Sequence, residues 1–268
     1  MIPEAHIRGW RENAPWLDDS MVEQDVLICR ALIAIFSDKF LSEQLAFRGG
    51  TALHKLYLHP QQRYSEDIDL VQINPGPIKP IIYGLGEVLS YMPDKIVKQK
   101  RYNNTLLFRI ASETTPVVQI RLKIEINCFE HFNVMGLKRM PFSLNSDWFS
   151  GSCDITTYAL DELLGTKMRA LYQRKKGRDL FDLSYAITHA DVDDDTVLKC
   201  FEKYMSFVVD HIPTYKEYVL NMEEKLQDDE FMTDMNTLLH PDLKYNPNES
   251  YEIVKERLIN RLSGERWS

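Results

Sequence analysis

The chain has 268 residues, of which 44% are hydrophobic and 27% charged, with a formal net charge of −8. That profile excludes a disordered or fibrous chain and allows one large or two modest folded domains. The first residues carry no basic stretch leading into an apolar one, and no run of about 18 uncharged apolar residues occurs, so the reading is a cytoplasmic protein with no membrane segment.

In chain order, Ser20 with Glu23 three residues on matches a capping box, and Val22, Val26, Leu27, Ile33, Phe36 and Phe40 recur at helical spacing, predicting a helix over 20–40. A short strand over 45–48 stops at Gly49-Gly50, and a helix starts at Thr51 and ends at His59-Pro60. The next strand is 67–71, with apolar and acidic residues alternating, and a helix over 78–92 follows Pro77. Strands over 95–101 and 105–111 flank Asn103-Asn104, read as a hairpin turn. Residues 118–127 alternate without a break: Val118, Ile120, Leu122, Ile124 and Ile126 on one face, and Gln119, Arg121, Lys123, Glu125 and Asn127 on the other. Beyond about residue 154 strand signals vanish, and helices are predicted over 158–174, 179–188, 194–210, 214–226 and 250–262. This is a mixed α/β (α+β) region followed by a mostly helical lobe, divided as 1–150 and 151–268, with the boundary placed near Asn145-Ser146 and Gly151-Ser152.

The glycine pair between strand and helix lets the backbone approach a ligand, and the helix start directs N–H groups at it, a geometry that suits phosphate but also occurs in plain turns. Asp67 and Asp69, at i and i+2 of a strand, leave the same face about 6.5–7 Å apart. Two such carboxylates repel unless a cation intervenes, and hard oxygen donors favour Mg²⁺, or Mn²⁺ in its place. Glu125 stands on the polar face of the clearest strand, where a third carboxylate would complete a metal site or act as base.

Phe47-Arg48-Gly49-Gly50-Thr51-Ala52-Leu53-His54-Lys55, followed by Arg63-Tyr64-Ser65-Glu66-Asp67-Ile68-Asp69-Leu70, resembles the AbiEii/AbiGii nucleotidyltransferase toxins of bacterial type IV toxin–antitoxin and abortive-infection systems. Their first signature is a GG[ST] turn and an RxSxDID strand. Residues 164–183, from Leu164-Gly165-Thr166-Lys167 to Arg178-Asp179-Leu180-Phe181-Asp182-Leu183, look like that family's later KxxAL…R…RDLxDL pattern. The resemblance spans about 45–190 and implies a DNA polymerase β-like nucleotidyltransferase core with a helical C-terminal lobe. It also implies transfer of a nucleoside monophosphate from an NTP to RNA, the tRNA 3′ end in some relatives, with a cognate antitoxin acting indirectly. By position, Gly49, Gly50, Thr51 and Ser65 would bind nucleotide, Asp67 and Asp69 the metals, and Lys167 the nucleotide phosphates. Asp182 would have a supporting or catalytic role, and Glu125 remains the candidate third carboxylate.

The residues of the later pattern admit other readings. Lys167 lies on or beside the apolar stripe of Leu160, Leu163, Leu164, Met168 and Leu171, as a snorkelling side chain or an inward phosphate ligand. Arg178 can pair with Asp182 at i+4, Asp179 can serve the helix dipole, and Arg174, Lys175, Lys176 and Arg178 form a basic corner with Gly177 as a helix-ending glycine. Cys29, Cys128, Cys153 and Cys200 are too scattered for a metal knuckle and read as packing thiols, while His54 and His59 read as surface residues and zinc is not expected. Between Lys95 and Arg139, nine basic residues face three acidic ones, against six and 17 between His189 and Glu256. The first stretch leans towards RNA as acceptor. Two rivals stand beside this reading: transfer to a small molecule or protein, and a catalytically silent nucleotide-binding module.

Overall fold

The alternation over 118–127 becomes strand β5 (Gln119–Asn127), with Ile120, Leu122, Ile124 and Ile126 buried and Gln119 and Arg121 exposed. β5 is one of seven strands in a computed structural model that describes residues 2–146 and 148–264. The others are β1 (Leu45–Arg48), β2 (Asp67–Gln72), β3 (Ile96–Gln99), β4 (Asn103–Ala111), β6 (Lys138–Asn145) and β7 (Ser150–Thr157). They form one mixed sheet in the order β3-β4-β5-β2-β1-β7-β6. β2 runs parallel to β5 and β1 parallel to β7, and the remaining pairs are antiparallel.

With them in the first unit, which ends at Tyr158, are α1 (Glu4–Trp10), α2 (Asp19–Ser37), α3 (Lys39–Gln44), α4 (Gly49–Leu56) and α5 (Lys79–Val88). The core joins one face of the sheet to these helices: Ile68, Leu70, Leu106, Phe108, Leu122 and Ile124 pack with Ile28, Leu32 and Ile35 of α2 and Ile81 and Leu85 of α5. Each such side chain contributes roughly 1.5–3 kcal/mol by leaving water. Because β2 and β5 each bury alternate residues, Asp67, Asp69, Lys123 and Glu125 are left on the opposite face. A buried polar link holds α4 in place: the Lys55 ammonium is 2.6 Å from Asp25 Oδ1 on α2, while the Trp10 indole N–H donates to Asp25 Oδ2 at 2.9 Å.

The second unit, beginning at Ala159, is helical: α6 (Leu160–Gln173), α7 (Gly177–His189), α8 (Asp194–Ser206), α9 (Tyr215–Lys225), α10 (Asp229–Thr233), α11 (Pro247–Arg257) and a 3₁₀ turn over Ile259–Arg261. Leu163, Leu164, Met168 and Leu171 form the buried stripe of α6. Lys225 closes the end of that helix by donating to the carbonyls of Leu171 and Tyr172, satisfying acceptors that the last helical turn leaves open. Among the described residues no helix is long and apolar enough to cross a membrane.

Several local expectations are corrected. α2 starts at Asp19, and Glu23 forms no capping box: it is buried and accepts the backbone N–H of Glu113. The long helix expected to reach residue 40 stops at Ser37, where Asp38 caps α3 through the N–H of Leu41. α4 begins at Gly49, two residues before Thr51. Asn103 and Asn104 lie inside β4, so the turn after β3 falls on 100–102. The stretch where the boundary is expected forms a hairpin in which Asn145 pairs with Ser150, and the first unit runs on to Tyr158. Gly177 opens α7 rather than ending α6, at a spot where a Cβ would lie 2.3 Å from the carbonyl oxygen of Phe231. His54 is fully buried, His59 is exposed, and all four cysteines are free thiols, two of them buried.

Candidate active site

Strand register assembles the site in the first unit. Parallel pairing sets Asp67 opposite Lys123 and Asp69 opposite Glu125, and antiparallel pairing sets Arg48 opposite Asp69. Side chains on neighbouring strands at matching positions share a face, so three carboxylates and two cations stand together on the side away from the core. Lys123 Nζ lies 2.8 Å from Asp67 Oδ2 and 3.6 Å from Glu125 Oε1. Arg48 is ion-paired with Glu130, a buried carboxylate beyond the end of β5.

Burial is the main influence on Asp67 and pushes its carboxyl up to about 6, and the ammonium of Lys123 only partly offsets it. For Lys123, partial burial works against the charged form, but Asp67 outweighs it and holds the ammonium above its usual range. Asp67 is therefore an acid short of positive charge, on a face that already presents three carboxylates. Among the described residues no three His, Cys, Asp or Glu side chains are gathered into a ready metal cage, because Lys123 stands between Asp67 and Glu125. The donors are hard oxygens only, two on β2 and one on β5, which fits Mg²⁺ supplemented by substrate oxygens and not zinc.

The glycine turn reaches the same carboxylates. Gly49 has φ +81°, and a Cβ there would lie 2.2 Å from Asp69 Oδ2. Asp69 can sit beside the start of α4 only because residue 49 has no side chain. Replacing Gly49 by Ala should therefore both destabilise the fold, by about 1–2 kcal/mol for the backbone alone, and displace the Asp69 carboxylate. The expected result is a lowered melting temperature together with loss of the nucleotide transfer that the family resemblance implies, and an unchanged transfer rate would show that this close approach is dispensable.

The remaining predicted nucleotide-binding residues are placed unevenly. Thr51 is buried, its hydroxyl 2.5 Å from the carbonyl oxygen of Asp67, to which it donates, and 2.6 Å from the hydroxyl of half-buried Ser65. Thr51 thus ties α4 to β2 rather than presenting a free hydroxyl. Lys167 is in the second unit, where its ammonium lies 3.0 Å from Asp179 Oδ1 and 2.7 Å from Asp182 Oδ2, and both carboxylates are fully buried. Arg174 adds two bonds to Asp179, at 2.6 and 2.7 Å. Arg178 reaches Asp234 instead of its expected i+4 partner, and Lys175 and Lys176 pair with Asp228 and Glu230. Arg48, Glu130 and the bridging position of Lys123 escape sequence reasoning, since each depends on register or on a partner far along the chain. Lys123 alone left a trace, as a neighbour of Glu125 on the polar face of β5.

A family model described as "Nucleotidyl transferase AbiEii toxin, Type IV TA system" matches residues 30–257. Among solved structures the fold is similar to the nucleotidyltransferase toxin MenT4 of Mycobacterium tuberculosis H37Rv, at 16% identity and TM-score 0.63, covering 97% of this chain and 88% of that one. It is also similar to JHP933 of Helicobacter pylori, at 18% identity and TM-score 0.57, covering 90% and 91%. A comparison with curated protein sequences returns no significant match.

Proposed function

The chain belongs to the AbiEii family of nucleotidyltransferase toxins of type IV toxin–antitoxin systems, and from that premise we propose that it transfers a nucleoside monophosphate from an NTP to the 3′ end of an RNA in the cytoplasm. A hydroxyl of the acceptor attacks the α-phosphorus in line, the bond to the β-phosphate oxygen breaks, and pyrophosphate leaves. The observation that carries this reading is the meeting of Asp67 and Asp69, on one face of β2, with the glycine-opened start of α4.

Asp67 and Asp69 would hold Mg²⁺, with Glu125 as the third candidate ligand. Such a metal, when bound, neutralises charge on the phosphates and lowers the pKa of the attacking hydroxyl. The backbone N–H groups at Gly49 and Gly50, at the positive end of α4, would donate to phosphate oxygens. Lys123, now shared by Asp67 and Glu125, is within reach of any phosphate brought to those carboxylates and can exchange partners when it arrives. The family resemblance also contributes Thr51 and Ser65 as nucleotide-binding residues, and their hydroxyls, bonded to each other, support the turn. The family resemblance contributes Lys167 as a phosphate ligand and Asp182 as its supporting carboxylate.

The test is incubation of the purified protein with each α-³²P-labelled NTP, Mg²⁺, and total cellular RNA or protein. Label in the RNA pool, lost in EDTA, is the expected result. Label in protein or in small molecules would overturn the acceptor, and absence of transfer from every NTP, with nucleotide still bound, would leave a catalytically silent module.

A further inference from the structure

Two arginines face each other on the sheet without a carboxylate to balance them. Arg109 on β4 and Arg121 on β5 are directly paired in register, and both are exposed on the face that carries Asp67 and Asp69. Like charges directly opposite one another destabilise an antiparallel pair. Cations elsewhere that lie close to carboxylates are held by them: Lys55 by Asp25, Lys167 by Asp179 and Asp182, Arg174 by Asp179, and Arg257 by Asp194. Among the described residues neither Arg109 nor Arg121 is held in an ion pair, and nor is Lys98.

Lys98 belongs to the same face. It pairs in register with Thr105, Thr105 with Glu125, and Glu125 with Asp69, so one line across four strands runs from the carboxylates to the free edge of the sheet at β3. At strand spacings of about 4.8 Å, that line is roughly 14 Å long. The adjoining line, Asp67, Lys123, Leu107 and Ile96, puts two half-buried apolar side chains beside it. Arg121 lies two residues from Lys123 on the same strand, so the arginine pair flanks the second line. The result is a tract of unneutralised cations with apolar surface between them, leading away from the reacting carboxylates over β5, β4 and β3.

We infer that this tract holds the acceptor: Arg109, Arg121 and Lys98 contact phosphates of a single-stranded polynucleotide whose 3′ hydroxyl lies at Asp67 and Asp69, while bases pack on Leu107 and Ile96. A polynucleotide backbone laid over Arg109 and Arg121, with one phosphate on each, turns their repulsion into two charge-assisted contacts. A single strand fits better than a duplex, because a line of this width follows one backbone and offers flat apolar contact to unstacked bases. The inference rests on the nucleotidyltransferase reading above and assigns the acceptor its path.

The full-length chain is titrated against a fluorescently labelled single-stranded RNA with a free 3′ hydroxyl, at several salt concentrations, and separately against a labelled NTP. The variants are R109Q/R121Q and K98Q. With contacts to single strands contributing about −0.7 each to the slope of log K against log salt, the double variant should lose about 1.4 of the slope and K98Q about 0.7. RNA binding by the double variant at low salt should fall at least tenfold while NTP binding stays within twofold. Removing the opposed charges should also raise the melting temperature of the RNA-free protein, which a purely structural role for these arginines would lower.

Wild-type slopes unchanged in both variants, or equal competition by polyglutamate, would overturn the inference. So would wild-type protein that binds NTP but no polynucleotide, and this outcome would leave nucleotide transfer standing with another acceptor. Failure to bind or turn over NTP, with salt-dependent RNA binding that falls in the variants, would keep the tract and remove the proposed reaction. A parallel DNA strand distinguishes a backbone-only tract, which binds both equally, from one that favours RNA.

Discussion

Replacing Asp67 or Asp69 by Asn should lower nucleotide transfer by roughly 10²–10³-fold or more, and the metal-free Asp67→Asn protein should melt higher than the wild type. The first effect follows from removing a charged oxygen donor on the face where the proposed reaction requires a triphosphate to be neutralised. The second follows from burial. Asp67 has a carboxyl pushed up to about 6 from an ordinary 3.8, chiefly because it is largely out of water, with Lys123 opposing that shift. An acid whose value is raised on folding is penalised only when ionised. The penalty is absent below about pH 4, grows between about pH 4 and 6, and is complete above that. Near neutral pH it is on the order of 3 kcal/mol, equivalent to roughly 6–12 °C for a chain of this size. Thermal melts in EDTA across this range should show the Asp67→Asn advantage appearing as pH rises. Mg²⁺ should raise the wild-type melting temperature and leave that of the variant nearly unchanged. Transfer retained within tenfold in both variants would reject the assignment of these carboxylates, and a variant that melts below wild type near neutral pH would reject the account of Asp67.

What the sequence made legible is what local chemistry dictates. The glycine pair after a short strand, the alternation that puts Asp67 and Asp69 on one side of β2, and the unbroken alternation of β5 are all set by neighbours within a few residues. What it concealed depends on distant partners. The stretch containing Pro141, Gly151 and several serines lacks the usual strand composition, yet β6 and β7 form because β7 finds a parallel partner in β1, where Phe47 pairs with Thr157, and the hairpin then closes on itself. Ser20 and Glu23 have the spacing of a capping box, but Glu23 is drawn into the interior by the backbone of Glu113, some 90 positions away. Arg48 is read from sequence as the residue before a glycine turn, and only the folding of Glu130 against it shows where its charge is spent. The hydroxyl of Thr51, a residue to which the family resemblance gives the triphosphate, turns inward because the carbonyl of Asp67 and the hydroxyl of Ser65 lie within bonding distance. The carboxylates were thus readable from spacing, while the cations that balance them were not, because a lysine or arginine is long enough to choose among partners that only the tertiary fold supplies.

Lys167→Met should destabilise the second unit by about 3–5 kcal/mol, and for that reason its loss of activity alone would prove nothing about phosphate binding. The ammonium is shared by Asp179 and Asp182, which are fully buried, and removing it leaves two ionised groups without the cation that lies within 3.0 Å of each. Burial alone would raise the Asp179 carboxyl, but Lys167 and Arg174 outweigh it and hold the group below the ordinary range. Its contribution is therefore present near neutral pH and is lost as the pH falls through that lowered value. Adding Asp182→Asn to Lys167→Met removes one of the stranded charges, so the double variant should recover much of the stability, with a coupling of about 0.5–3 kcal/mol between the two sites. The two readings of Lys167 then separate. If its amine only holds α6 against α7, restoring the fold restores transfer. If it also meets the nucleotide phosphates, the double variant folds yet stays about 10²-fold or more below wild type, with Asp182→Asn alone as the control for the carboxylate's own share. The second outcome is expected, and recovery of transfer alongside stability would make Lys167 a structural residue and take it out of the reaction.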